Sequence, residues 1–238
     1  MIGLIGGAAA AAVSASAAVL AYGVRVPSSS LLAPSVYKGV SSRPAIALTF
    51  DDGPSETTPE LLAVLGRHSV PATFFQCGAN VRRLPEQARQ VAAAGHEIGN
   101  HSDTHPMLSG KSRDFIYREI ATAQETIEQV TGAHPRYFRA PYGARWFGLR
   151  EAQGRLGLTG IMWSALALDW KLPVERVVSR LLRSASNGAI LCLHDGRALQ
   201  ARPNIHVTLE AVRQLLPKLM EKGFHFEKVT DILCPTKN

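Results

Sequence analysis

The sequence predicts an α/β fold built on a parallel sheet, wound either open or as a barrel. Three observations lead there. Short apolar runs alternate with amphipathic stretches for about seven units, with no internal repeat. The apolar runs end in polar residues, at the carboxyl ends of strands where parallel β/α folds hold their ligands. Composition supports a single core: 46% of the 238 residues are hydrophobic and 19% charged, which excludes a disordered or collagen-like chain.

Taken in order, residues 1–24 contain no charged side chain and nine alanines, and Ala15-Ser16-Ala17 fits a small-x-small cleavage pattern. The segment reads as a signal peptide or membrane anchor of an exported, cell-envelope or extracellular protein. Arg25 would bias a retained segment the other way, toward a cytoplasmic C-terminus. Residues 25–42, with Val26-Pro27-Ser28-Ser29-Ser30, read as a linker, 43–233 as one globular domain and 234–238 as a tail.

Within the domain, Ala45–Phe50 reads as a buried strand ending in Asp51-Asp52-Gly53. Thr58 is the expected N-cap of a helix through His68, with Pro59 at its first position. Ala72–Cys77 is the next strand, and a helix opens at Pro85 and closes at Gly95. Glu97–Gly99 is a short strand. Ile116, Ile120, Ala123 and Ile127 are spaced for a helix over 112–131 that Gly132 stops. Strands are expected near Tyr137–Arg139, Thr159–Ala165 and Ala189–His194, with helices near 148–155 and 173–186 between them. A helix over Val207–Lys222 and a strand over Phe224–Val229 finish the domain.

The formal charge of +7 suits an anionic environment, but no run of five or six like charges occurs. Nor is there a basic patch interleaved with aromatics, so nucleic acid is not an expected partner. Cys77, Cys192 and Cys234 are too few and too dispersed for a disulfide framework or a zinc ribbon.

The polar strand ends carry the chemistry. Asp51-Asp52, then His101 to His105, Arg139-Ala140-Pro141-Tyr142, Asp169-Trp170 and His194-Asp195-Gly196 would converge on one rim. Each alone is weak, and their joint occurrence at successive strand ends is the signal. Asp52, His101 and His105 form a three-ligand set that leaves positions open for water and substrate. Such a site acidifies bound water and polarises a carbonyl. Asp51, pointing the other way on the strand end, is free to act as general base, with Arg139 pairing to aim it. His194, oriented by Asp169, can protonate a leaving nitrogen, and the Tyr142 backbone N–H is a candidate oxyanion donor. The set suits metal-assisted hydrolysis of an amide or ester.

The chain resembles the polysaccharide deacetylases with a NodB-homology domain, carbohydrate esterase family 4. The resemblance rests on Thr49-Phe50-Asp51-Asp52-Gly53, the His-Ser-x-x-His of His101 to His105, Arg-x-Pro-Tyr at Arg139 to Tyr142, Asp169-Trp170 and Leu193-His194-Asp195-Gly196, in the family's order. It covers roughly residues 43–233. It implies a distorted (β/α) barrel of about seven strands and a divalent metal, usually zinc, on Asp52, His101 and His105. It also implies Asp51 as base, His194 as acid, and removal of N-acetyl groups from N-acetylglucosamine units of a glycan. Alternatives on the same site are an O-acetyl (xylan-type) esterase and a noncatalytic glycan-binding module. Two positions depart from the family: Leu166, where an acidic residue is common, and Cys192, where a leucine often lines the acetyl-methyl pocket. Pro141, Tyr142, Trp146 and Cys192 are the expected substrate contacts, Trp146 by stacking on a sugar ring with Phe147 beside it. Trp170 reads as core beneath Asp169.

Overall fold

The structure, a computed structural model, describes residues 15–234; the first fourteen residues of the expected leader and the last four of the tail lie outside the described residues. The central strand β2 (Ala45–Gly53) is buried along its whole length, and its largely apolar first six residues suit a strand flanked on both sides in a parallel sheet. Its one buried hydroxyl is satisfied, Thr49 Oγ1 donating to Leu191 O at 2.8 Å. β2 is flanked by β3 (Thr73–Gln76) and β8 (Ala189–His194), both parallel to it. The sheet continues through β4 (Glu97–Asn100), β5 (Tyr137–Phe138), β6 (Thr159–Ile161) and β1 (Ser35–Val36) on one side, and through β7 (Ala165–Leu166) on the other. β9 (His225–Glu227) pairs with the first half of β2. Every one of these strand pairings is parallel, and the fold is the expected distorted barrel, left open between β1 and β7.

The described residues form nine strands where about seven were expected, for two local reasons. The single strand expected over Thr159–Ala165 is two strands far apart in the sheet, β6 next to the β1 edge and β7 at the other edge. Between them, the Met162 N–H donates to Val36 O at 2.7 Å and the Ser164 N–H donates to Ile190 O at 3.0 Å, so three residues step across the open side. The second reason is β1, which lies inside the expected linker. Residues 25–42 do not span free solvent: Ser35 and Val36 pair with Gly160 and Ile161, and Leu32 and Ala33 are buried.

The helices cover the sheet with the expected faces. The 113–131 helix starts at Ser112, whose Oγ accepts from the Phe115 N–H at 3.2 Å, and stops at Gly132, where φ is 71°. The expected N-cap Thr58 is instead the first helical residue, with Thr57 before it. The Thr58 hydroxyl is engaged elsewhere, accepting from the Ser55 N–H and donating to Asp195 Oδ2 at 2.7 Å. A helix over residues 78–83, unforeseen in the sequence, follows β3. Residues 15–25 are helical, and no helix among the described residues is long and apolar enough to cross a membrane.

Candidate active site

Strand β2 delivers both aspartates to one cleft. On a regular strand end they would face opposite ways. The register with β3 breaks between Phe50 and Gly53, and Asp52 sits at φ 70°. The bulge turns both carboxylates into the cleft, so the expected divergence of Asp51 and Asp52 does not hold. Among the described residues, positive φ outside glycine is confined to Ser69 and six residues in or beside this cleft: Asp52, Ser102, His105, Tyr142, Leu168 and Ala198. Backbone held this way persists only where surrounding contacts enforce it. Two such contacts are visible at Gly53 and Gly196. A Cβ on Gly53 would collide with the Asp195 carboxylate, and one on Gly196 with the Asp52 backbone.

Asp52 Oδ1 lies 3.0 Å from His105 Nε2 and 3.4 Å from His101 Nε2. Burial penalises the Asp52 charge, but the facing imidazoles outweigh it and hold the carboxyl well below the usual range. Its other oxygen accepts from the Ala198 N–H at 2.8 Å, and Asn80 Nδ2 donates to both the Asp52 and Ala198 carbonyls. His101 Nδ1 is 2.7 Å from the Arg139 carbonyl, which can only accept. That nitrogen therefore carries the proton, and a neutral ring turns a bare Nε2 toward the carboxylate. Lone pairs converging at 3.0–3.4 Å need a proton or a cation among them. Ligands about 2.0–2.1 Å from a four-coordinate ion stand about 3.3 Å apart, so the triad fits a metal such as zinc.

Asp51 is held from the other side. Arg139, fully buried, donates from Nη1 to Asp51 Oδ1 and to Thr49 Oγ1, each at 2.7 Å. Its Nε and Nη2 donate to the Ile161 and Met162 carbonyls, and its guanidinium lies 4.1 Å from the Phe75 ring centroid. The Cys192 thiol donates to Asp51 Oδ2 at 3.3 Å.

On the adjacent strand β8, in register with Asp51, His194 places Nδ1 2.8 Å from Asp169 Oδ1. Asp169 Oδ2 accepts from the His194 N–H at 3.0 Å and from Thr208 Oγ1 at 2.5 Å. Burial opposes a charge on His194, but pairing with Asp169 outweighs it and raises the imidazole above its ordinary value. The Asp169 carboxyl, also penalised by burial, is lowered by the same pairing. Burial pushes the neighbouring Asp195 carboxyl up to about 8.

The cleft measures about 440 Å³, enough for a sugar ring and its substituent. Asp51, Asp52, His101, His105, Tyr142 and His194 all line it, as the sequence indicated. The Tyr142 ring packs edge-on to His105, with centroids 4.6 Å apart. Three expected contacts are not on its wall among the described residues. Pro141 is buried in a 3₁₀ turn, and Cys192 is buried beneath Asp51. Trp146 is half-buried, packing with Leu20, Val24 and Leu32 of the N-terminal segment. Trp170, expected in the core, is instead 48% exposed, lines the cleft and stands edge-on to His194 at 4.7 Å. Sequence reasoning also missed Trp163, Arg25 and Arg197 on the wall and Thr208 behind Asp169, none of which lies in a motif.

The family described as Polysaccharide deacetylase matches residues 38–161. The chain belongs to the polysaccharide deacetylase family. A chitooligosaccharide deacetylase of Bradyrhizobium sp. (strain ANU 289) is 38% identical over 205 residues, 82% of this chain and 94% of that one. Among solved structures, the Bc1960 peptidoglycan N-acetylglucosamine deacetylase superposes with a TM-score of 0.78 at 28% identity, covering 83% of this chain and 92% of that one. BA3943, a CE4 family pseudoenzyme from Bacillus anthracis, superposes with a TM-score of 0.77 at 28% identity, covering 84% and 69%. In this deacetylase, Leu166 lines the cleft with an apolar side chain, while its carbonyl accepts from Arg180 Nε at 2.6 Å.

Proposed function

We propose that this deacetylase removes N-acetyl groups from N-acetylglucosamine units of an oligo- or polysaccharide, with a divalent metal, zinc by its donor set, on Asp52, His101 and His105. The observation that carries the reading is that the acid and the base candidates stand side by side on adjacent strands, each with its own support. Arg139 aims Asp51 beside the triad, and Asp169 aims His194, the register partner of Asp51 on β8. A bound ion there acidifies water and polarises the acetamide carbonyl. Asp51 takes the proton from the attacking water. Its Arg139 and Cys192 bonds fix where the carboxylate points. His194, protonated through its pairing with Asp169, donates from Nε2 to the departing sugar nitrogen. The Tyr142 N–H is the proposed donor to the carbonyl oxygen. The exposed Trp170 edge beside His194 offers an apolar wall for the sugar ring. We further propose export to the cell envelope, on the uncharged, alanine-rich start of the chain.

The likeness to a pseudoenzyme favours testing one other reading, a glycan-binding module without turnover. Intact Asp51, Asp52, His101, His105 and His194 support catalysis instead. Acetate release, measured across chitooligosaccharides, peptidoglycan and acetylxylan with metal content determined in parallel, tests both. Release from the amide substrates supports the deacetylase; glycan binding without release from any of them supports the module. Release from acetylxylan alone supports the esterase. An ester leaving group needs less protonation than an amine, so His194→Ala should cost amide cleavage far more than ester cleavage.

A further inference from the structure

Arg25 comes to the cleft from outside every motif. It is the last residue of the 15–25 helix, at the start of the stretch expected to be a linker, and is exposed on the cleft wall, which Arg197 and Gln200 also line. Its position is enforced on both sides by one buried residue, Arg145, through its backbone and its side chain. The Arg145 N–H donates to Val24 O at 3.2 Å, and the Arg145 guanidinium donates to the carbonyls of Val26 and Ser29. Val24 and Leu32 are buried against Ala144. The backbone carrying Arg25 is therefore part of the cleft wall.

The charge balance of the cleft leaves this arginine unmatched. Asp51 is paired with Arg139, and Asp52 faces two imidazoles. Arg197 is half-buried and donates to two backbone carbonyls, those of Gly196 and Asp169. Among the described residues, neither Arg25 nor Arg197 forms an ion pair with a carboxylate. Two guanidiniums thus face the cleft while both of its carboxylates are already engaged. A guanidinium suits a carboxylate by charge and by its forked donors.

We propose that Arg25 binds a carboxylate on the substrate, so that the preferred glycan carries an acid group on a sugar next to the unit being deacetylated. This rests on the glycan-deacetylase reading and narrows it to acidic glycans. Arg197 reinforces the field at the same rim.

The test measures binding by calorimetry to the full chain in an Asp51→Asn background, where turnover is blocked. The probes are a tetrasaccharide alternating N-acetylglucosamine and N-acetylmuramic acid with free lactyl carboxylates, its methyl esters, and neutral chitotetraose. The acid form should bind roughly three- to tenfold more tightly than the ester, the range for a partly exposed charged contact. That preference should shrink with added salt. Arg25→Ala should abolish the acid-over-ester ratio and Arg25→Lys should retain part of it. Equal binding of acid and ester, no binding of either, or a ratio that survives Arg25→Ala would each overturn the proposal. Acetate release by the unsubstituted chain is scored separately. Intact charge preference without acetate release would overturn the deacetylase reading and leave Arg25 a glycan-binding residue.

Discussion

Arg139 and Asp51 form a fully interior ion pair, Nη1 to Oδ1 at 2.7 Å, in which the arginine also satisfies Thr49 and two carbonyls of the chain crossing the open side of the barrel. One side chain therefore aims the proposed base and ties β2 to the segment that links the two sheet edges. Arg139→Met should cost stability as well as turnover. Removing one partner of a buried pair typically costs about 3–5 kcal/mol, because the other charge stays behind unpaired. Thermal unfolding should show a clearly lowered Tm. Lysine cannot reproduce the forked contacts, so Arg139→Lys should recover little. A variant as stable as the parent would show that the pair does not support the crossing.

The two aspartates should separate by experiment. His105→Ala should lower metal affinity sharply, since it removes one of three convergent donors. Asp51→Asn should keep the metal and reduce kcat by about 10²–10⁴, the usual share of a positioned base. Metal content by elemental analysis alongside acetate release checks both. Loss of metal from the Asn variant would mean that the division of labour is wrong.

The acid should show itself in the pH profile. Pairing with Asp169 raises His194, so the proton it must donate is held past the ordinary imidazole value of 6.5 and is lost as pH rises through the raised value. Asp169→Asn removes the pairing charge and should move the alkaline limb of kcat to lower pH, with a loss on the order of 10²-fold at neutral pH. An unmoved limb would exclude His194 as the titrating acid.

Away from the site, His96 makes the fold acid-sensitive. Its Nδ1 accepts from the Ala72 N–H at 3.1 Å, and burial pushes the imidazole from 6.5 down to about 4. Below pH 6.5 the unfolded chain takes up a proton that the folded one refuses, so stability falls as pH drops from 6.5 toward 4. The loss at pH 5 should be on the order of 1–2 kcal/mol, allowing for the ring's partial exposure. Urea unfolding at pH 7 and pH 5 measures it, and His96→Gln should flatten the difference.

The parallel α/β class, the central strand and the proposed metal set were legible in the sequence because each is written locally. An unbroken apolar run announces a buried parallel strand, and the residue after its last apolar position marks the end of the sheet where ligands collect. Asp52, His101, His105, Arg139, Asp169 and His194 all stand at such ends. The same local rules misplaced what depends on distant partners. Trp146 and Trp170 exchange their expected roles: the docked N-terminal segment partly covers the first, and the second stays 48% exposed on the cleft wall. The apolar stretch 159–165 reads as one strand, yet its halves find partners on opposite sides of β2, β6 between β1 and β5 and β7 on β8. Thr208 and Arg25 carry no motif, and their places follow from helix docking and from the grip of Arg145. Periodicity and strand-end polarity are properties of neighbouring residues, so they survive without the fold. Which side chains meet across the cleft depends on sheet order and loop closure, and only packing of the whole chain sets those.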